Sequence, residues 1–342
     1  MGSIDIGELT KQSHLKIKDY MEEIDKMTNT IQEDELTKCN YRVYKNKNFF
    51  ENNSKYAYVT SIFINESYIP SALVLAKNMR LLQHKYPLVC MVQDKSYKID
   101  KNGSIEYFHG VSDKGIKDLL QLFDMVIGVD LLKVNNYTPS PYHFTNNDSY
   151  SNIVYYVTKG QVLGLTMFEK VMYLDASAYV ENNIDSIFQN KEGTFLGDAE
   201  FEYTQVGIHG AFFFILPNKY HYHKFRAFIS DYNKYFSDLY FMRGVDELVI
   251  YYAVYLHWAN TQFDRHFACR KNKRGAFNDC DIYHFQMDKP FRNNDKNNSM
   301  KKIKKHYKQY DDWDKLVKIL LKSNPSLEYY YQHIKTFRQT LF

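Results

Sequence analysis

Cysteine is scarce in this chain: Cys39, Cys90, Cys269 and Cys280 are the four among 342 residues, and no two form a C-x-x-C pair. That excludes a zinc knuckle. The count suits free thiols in a reducing compartment, with a Cys269–Cys280 bridge as the alternative in a secreted setting. Long apolar runs are missing as well. The longest unbroken stretch, AFFFIL at 211–216, falls far short of the ~20 residues that span a bilayer. The opening MGSIDIGELTKQSHLK has no apolar core of signal-peptide length, and Ile6 stands where a myristoylation site wants Ser or Thr. No membrane span and a cytoplasmic location are therefore expected. Neither charge sign dominates: 44 Lys and Arg against 40 Asp and Glu leave +4, too mild to argue for a nucleic-acid partner. G-x-G-x-x-G and G-x-x-x-x-G-K-[ST] are both absent, so neither a dinucleotide-binding turn nor a P-loop is supported. No internal repeat occurs.

What is present is a folded composition, 44% hydrophobic and 25% charged. Aromatics reach 17%, with 31 Tyr and 24 Phe, a bias too general to mark a site. The length fits one large α/β domain with extensions. Residues 1–54 read as a helical N-terminal extension. Ile17, Tyr20, Ile24, Met27 and Ile31 make an apolar stripe on a helix over 14–32, packed on its own domain or serving a homodimer. YRVYKNKNFFENNSK then reads as a polar linker.

Strands and helices alternate from there. YAYVTSIFI (56–64) is a strand, and YIPSALVLAKNMRLLQHK a helix with Pro70 in its first turn. YPLVCMVQD (86–94) is a second strand, 112–122 a helix, and DMVIGVD (124–130) a third strand. This order predicts a parallel sheet covered on both faces. A long polar loop at 135–152 follows, then a helix over 153–168 and a strand at 171–174. TFLGD (194–198) and GAFFFIL (210–216) are further strands, 220–237 and 245–258 are helices, and 280–291 is a last strand and turn. The basic tail from 296 carries helices at 311–322 and 326–341, parted at Pro325. The domain proper spans 55–295.

An open parallel sheet binds ligands beyond the carboxyl ends of its strands. Asp175 ends one central strand, Asp198 ends another, and His284 and Lys289 lie beyond DIY. Carboxylate and imidazole suit a hard or borderline divalent ion, and lysine suits phosphate. A metal-bridged diphosphate is the common solution that remains.

At this point the chain resembles the glycogenin-type, family 8 retaining glycosyltransferases, over about residues 56–292. YVTSIFINESYIPSALVLAKNM resembles the family's opening strand, nucleotide loop and following helix. TKGQVLGLTMFEKVMYLDA resembles its lysine-to-D-x-D segment, with 175 − 159 = 16 residues between lysine and aspartate. NNIDSIF, GAFFFILPN, VDELVIYYAVY and HFQMDKPF resemble four later motifs in the same order.

The resemblance implies a single α/β domain of the nucleotide-diphospho-sugar transferase type, with a mostly parallel mixed sheet. It implies a UDP-hexose donor, a glycan or protein acceptor, and Mn²⁺ or Mg²⁺. Asp175, Ser177 and His284 would be the metal positions. Lys159 and Lys289 would face the diphosphate, and Thr60, Asn65 and Tyr68 the base and ribose. Asp198 and Asp246 would hold sugar hydroxyls, with Glu247 at the reacting face.

The departures fall on the site. The family's D-x-D is Asp175-Ala176-Ser177, its N-S-G is Ile208-His209-Gly210, its D-Q is Asp246-Glu247, and its terminal turn lacks a glycine. For each residue a plain alternative stands: a strand-end turn for Asp175, a solvated surface for Lys159, Lys289 and Glu247, a structural role for His284. Two functions follow. One is metal-assisted hexosyl transfer with retention, self-glycosylation included. The other is a catalytically impaired relative acting as a binding or assembly module.

Overall fold

A computed structural model describes residues 41–47, 54–63, 66–94, 96–99, 105–132, 154–155, 157–190, 194–197, 208–230, 268–269, 281–285 and 308–332. It also describes three helical, exposed positions further upstream, Asp19, Glu22 and Lys26. The apolar stripe of 17–31, the 135–152 loop and the 245–258 helix lie outside these residues.

The fold is α/β. Seven strands among the described residues form one sheet in the order β1-β6-β3-β2-β7-β10-β9. These are β1 (Arg42–Lys45), β2 (Tyr56–Ile62), β3 (Leu88–Gln93), β6 (Met125–Val129), β7 (Lys170–Leu174), β9 (Thr194–Gly197) and β10 (Ile208–Ile215). The four central strands β6, β3, β2 and β7 run parallel, and β1, β10 and β9 add antiparallel pairs outside them. A hairpin of β4 (Ser96–Ile99) and β5 (Ile105–His109) stands apart from the sheet. A smaller sheet joins β11 (Ala268–Cys269), β12 (Ile282–His284) and β8 (Ala178–Val180).

Helix α1 (Ile69–Leu81) links β2 to β3, and α2 (Asp113–Leu119) precedes β6. Pro70 sits in the first turn of α1, where its missing N–H costs nothing. Ile69, Ala72, Leu73, Ala76 and Met79 are buried against Tyr58, Ile62, Cys90, Met172 and Leu174 of the sheet. Ser112 caps α2 by accepting from the Gly115 amide at 3.1 Å, satisfying one of the open N–H groups of its first turn. The opposite face of the sheet carries α3 (Lys219–Ser230) and a 3-10 turn at Lys159–Gly164.

Two segments differ from the sequence reading. The stretch read as a polar linker forms β1, which pairs Arg42 to Lys45 with Gly128 to Met125 on the sheet edge. Asn46 extends the attachment, its amide to the Asp124 carbonyl at 2.9 Å and its side chain to the Leu120 carbonyl at 2.6 Å. The four residues RVYK show no apolar/polar alternation to read, so only the partner strand identifies β1. In place of the expected helix over 153–168, residues 154–155 and 157–158 are helical and a 3-10 turn follows at Lys159–Gly164.

The C-terminal segment packs as core. Helix α4 (Lys308–Ser323) buries Tyr310, Trp313, Leu316 and Leu320 with α1 in one cluster. Beyond a 3-10 turn at Pro325–Leu327, Tyr331 donates to the Pro70 carbonyl at 2.8 Å and Tyr330 to Asp118 at 3.1 Å.

Candidate functional site

The chain leaves β2 toward β3 on one side and later continues from β7 toward β10 on the other. The carboxyl ends of β2 and β7 thus flank the point where the winding reverses, the crevice in which open sheets bind ligands. Strand alternation sets what faces it. Met172 and Leu174 point into the α1 layer, so Tyr173 points to the opposite face, where it stacks on Phe213 with ring centroids 4.5 Å apart. Its hydroxyl lies 2.6 Å from Ser61 Oγ of β2 and donates to Asp175 Oδ1 at 3.0 Å. A buried tyrosine hydroxyl needs polar partners, and these two tie the strand ends together.

Asp175 follows β7 directly. Its amide donates to the Ala211 carbonyl at 2.8 Å, and its own carbonyl accepts from Ala178 at 2.8 Å. The backbone therefore closes the turn into β8, while the carboxylate turns to Lys159 and His284. The turn is made by backbone atoms alone, which leaves both carboxylate oxygens to side-chain partners.

His284 arrives from the distant end of the chain. β12 pairs antiparallel with β8, His284 opposite Ala178, and Phe285 donates to the Ser177 carbonyl at 3.0 Å. This register places His284 Nε2 at 3.0 Å from Ser177 Oγ and 3.4 Å from Asp175 Oδ2. The ring packs edge-on to Phe212 at 5.6 Å.

Lys159 opens the 3-10 turn. Thr158 Oγ1 donates to the Val154 carbonyl at 2.6 Å and accepts from Leu132 at 3.0 Å. Gln161 donates to the Asp130 carbonyl at 2.7 Å and accepts from Tyr222 at 2.6 Å. Gly160 lies against the Phe225 ring of α3, and a Cβ there would fall well inside van der Waals contact. Held so, Lys159 places Nζ 3.1 Å from Asp175 Oδ1 and 5.7 Å from the centre of the Tyr173 ring. The three charged or titratable side chains are largely withdrawn from water, at 11% exposure for Lys159, 21% for Asp175 and 9% for His284.

Of the residues expected at a metal, Asp175, Ser177 and His284 come together. Their chemistry does not fit a resident divalent ion. They offer one carboxylate, one imidazole and one neutral hydroxyl, and no group of three or more His, Cys, Asp or Glu suited to a metal occurs among the described residues. The carboxylate already faces an ammonium. Two unit positive charges 4 Å apart repel by about 4 kcal/mol at an effective dielectric of ~20, and a divalent ion doubles the term.

Among the expected diphosphate and nucleoside contacts, Lys159 is at the site. Thr60 is not brought to it: its hydroxyl is buried in the α1 layer without a hydrogen-bond partner among the described residues. It lines a small apolar cavity with Leu75, Met79 and Phe123. Tyr68 is half-buried against the core at the start of α1. Asn65, Asp198, Asp246, Glu247 and Lys289 lie outside the described residues. Ser61 and Tyr173 escaped sequence reading. The available signal was a hydroxyl-bearing residue on the same alternation face of each of two buried strands.

No protein-family model matches this chain. Uncharacterized protein R707 of Acanthamoeba polyphaga mimivirus is 27% identical over 136 residues, which is 40% of this chain and 41% of that protein, so the match spans less than half of either. Several solved glycosyltransferases are distantly similar in structure. GlyE of Streptococcus pneumoniae TIGR4 is 13% identical with a TM-score of 0.45, over 80% of this chain and 64% of that one. The galactosyltransferase LgtC, solved with donor and acceptor sugar analogs, is 12% identical with a TM-score of 0.44, over 76% and 94%. Mouse xyloside xylosyltransferase 1 is 14% identical with a TM-score of 0.42, over 69% and 99%.

Proposed function

We propose that this protein transfers a hexose from a UDP-sugar to an acceptor hydroxyl with retention of configuration. The observation that supports the reading is the convergence of Lys159, Asp175, Ser177 and His284 beyond the carboxyl ends of β2 and β7. In this reading the bond between the sugar C1 and the β-phosphate oxygen breaks, and its electron pair leaves with UDP. The acceptor oxygen bonds to C1 on the same face, and its proton passes to the departing phosphate. The negative charge that grows on the diphosphate is what a positioned cation stabilises. Lys159 is assigned to meet that charge, and Lys289, which follows β12 in the sequence, is assigned the same task. Asp198 and Asp246 are assigned to the donor sugar's hydroxyls and Glu247 to its reacting face.

The test is nucleotide-dependent stabilisation followed by turnover. A ligand bound only by the folded state adds about 2.7 kcal/mol at 100 times its Kd, which for a chain of this size raises the melting temperature by a few degrees. UDP should do this and ADP and GDP should do less, and UDP-hexose should be consumed with release of UDP. Equal, negligible shifts for all three nucleotides would remove the nucleotide site from the account. A UDP shift without turnover of UDP-glucose, UDP-galactose or UDP-N-acetylglucosamine would point instead to the binding module.

A further inference from the structure

We propose that the Lys159 ammonium, oriented by Asp175, takes the place of a divalent cation in holding the nucleotide diphosphate, so that nucleotide binding needs no metal. The inference rests on the UDP-sugar reading above and goes beyond it by assigning the charge that meets the diphosphate.

The first observation is the ion pair. Asp175 Oδ1 accepts from both Lys159 Nζ at 3.1 Å and Tyr173 Oη at 3.0 Å. A carboxylate so engaged presents a fixed ammonium at the strand ends, where a resident metal would otherwise stand. The second observation is the charge balance. A divalent ion held by two carboxylates is a neutral unit, and so is one ammonium held by one carboxylate. Ser177, neutral and 2% exposed, occupies the turn position two residues after Asp175 and hydrogen-bonds to His284 instead of supplying a second negative charge. Adding a divalent ion to this unit would leave a net charge of two in a site largely removed from water, which is costly. The third observation is support. Lys159 begins a 3-10 turn pinned through Thr158, Gln161 and the Gly160–Phe225 contact. A preorganised cation of this kind stabilises developing phosphate charge without reorganising during the reaction.

Calorimetric titration of UDP into the full chain, once with EDTA and once with millimolar Mn²⁺, decides the matter. The expected dissociation constants agree within about twofold. Lys159→Gln should weaken UDP binding in EDTA about tenfold or more, the loss of one charge-assisted contact. In the same variant Mn²⁺ should restore part of the affinity, because Asp175 no longer faces an ammonium. A purely structural role for Lys159 would produce no such metal dependence. Lys159→Arg should keep most of the metal-free binding. Asp175→Asn, close to isosteric, provides a second route if Lys159→Gln does not fold: it should weaken UDP binding in EDTA while the ligand-free melt stays cooperative. Wild-type binding seen only with Mn²⁺ would overturn the inference while leaving the UDP-sugar reading intact. So would unchanged binding in EDTA for either Lys159→Gln or Asp175→Asn. Absence of UDP binding in both buffers would overturn the UDP-sugar reading and the ammonium's role with it.

Discussion

Asp175 shows how one residue serves two demands. Its backbone completes β-pairing and a turn, and its side chain faces a lysine delivered by a separate turn and a histidine delivered by a separate strand. The precision of that meeting depends on Gly160. Any side chain there must displace the Phe225 ring or the 3-10 turn. Gly160→Ala should therefore destabilise the fold by about 1–3 kcal/mol, the range for overpacking a filled core. It should also weaken UDP binding, because Lys159 is the next residue. Thermal melting and nucleotide titration of the variant check the two effects separately. A stability loss with unaltered binding would mean that the ring yields rather than the turn.

Among the elements, β1 changes the role of the region before Tyr56. Its backbone covers β6, and Arg42 pairs with Asp94 at 3.3 Å while Tyr41 donates to the Gln161 carbonyl at 3.1 Å. A chain starting at Tyr41 should melt at a higher temperature than one starting at Lys55, which exposes the β6 edge and should also aggregate more readily. Equal melting of the two would show that β1 contributes little to stability.

A second element-scale feature is the latch at the end of α1. His84 Nδ1 donates to the Met79 carbonyl at 3.0 Å, and Nε2 accepts from the Ile184 amide at 3.1 Å, a pattern only the neutral ring satisfies. Burial holds its pKa below the ordinary 6.5, outweighing the Met79 bond and the Asp185 charge that favour protonation. Tyr58 and the Lys85 amide both donate to Asp185 beside it, and the Tyr58 ring meets the imidazole edge-on. The unfolded chain takes up the proton more readily as pH falls below about 6.5. The latch's contribution is thus complete above that pH and is lost as pH falls through the folded pKa. His221, lowered by burial and by Lys224, acts in the same direction. Denaturant midpoints should decline from pH 7 toward pH 5, and His84→Gln should flatten part of that decline.

At the scale of the whole molecule, the C-terminal segment belongs to the main core. Trp313, Leu320 and Tyr331 are each 1% exposed or less. The Lys114 ammonium also lies 3.8 Å from the centre of the Tyr329 ring. Burying one such large side chain contributes about 1.5–3 kcal/mol, so losing several approaches the ~5–15 kcal/mol that typically stabilises a domain. A chain ending at residue 307 should lose its cooperative melt. A chain that still melts cooperatively near the full-length temperature would show that α1 is covered well enough without α4.

The sequence by itself determined the alternation of strands and helices, because buried parallel strands such as LVCMVQ and MVIGV read as apolar runs on their own. It also placed Asp175 at a strand end and Lys159 sixteen residues before it, since both lie within one local segment. Local pattern could not distinguish Thr60 from Ser61. Only the facing of β2 against β7 put Ser61 at Tyr173 and turned Thr60 into the α1 layer. β1 was equally hidden, since its residues pair with β6 some eighty positions later. His284 reaches Ser177 across 107 residues through the β12–β8 register. Tertiary structure alone decided which cation faces the carboxylate, because an ion pair between separate elements depends on how those elements pack.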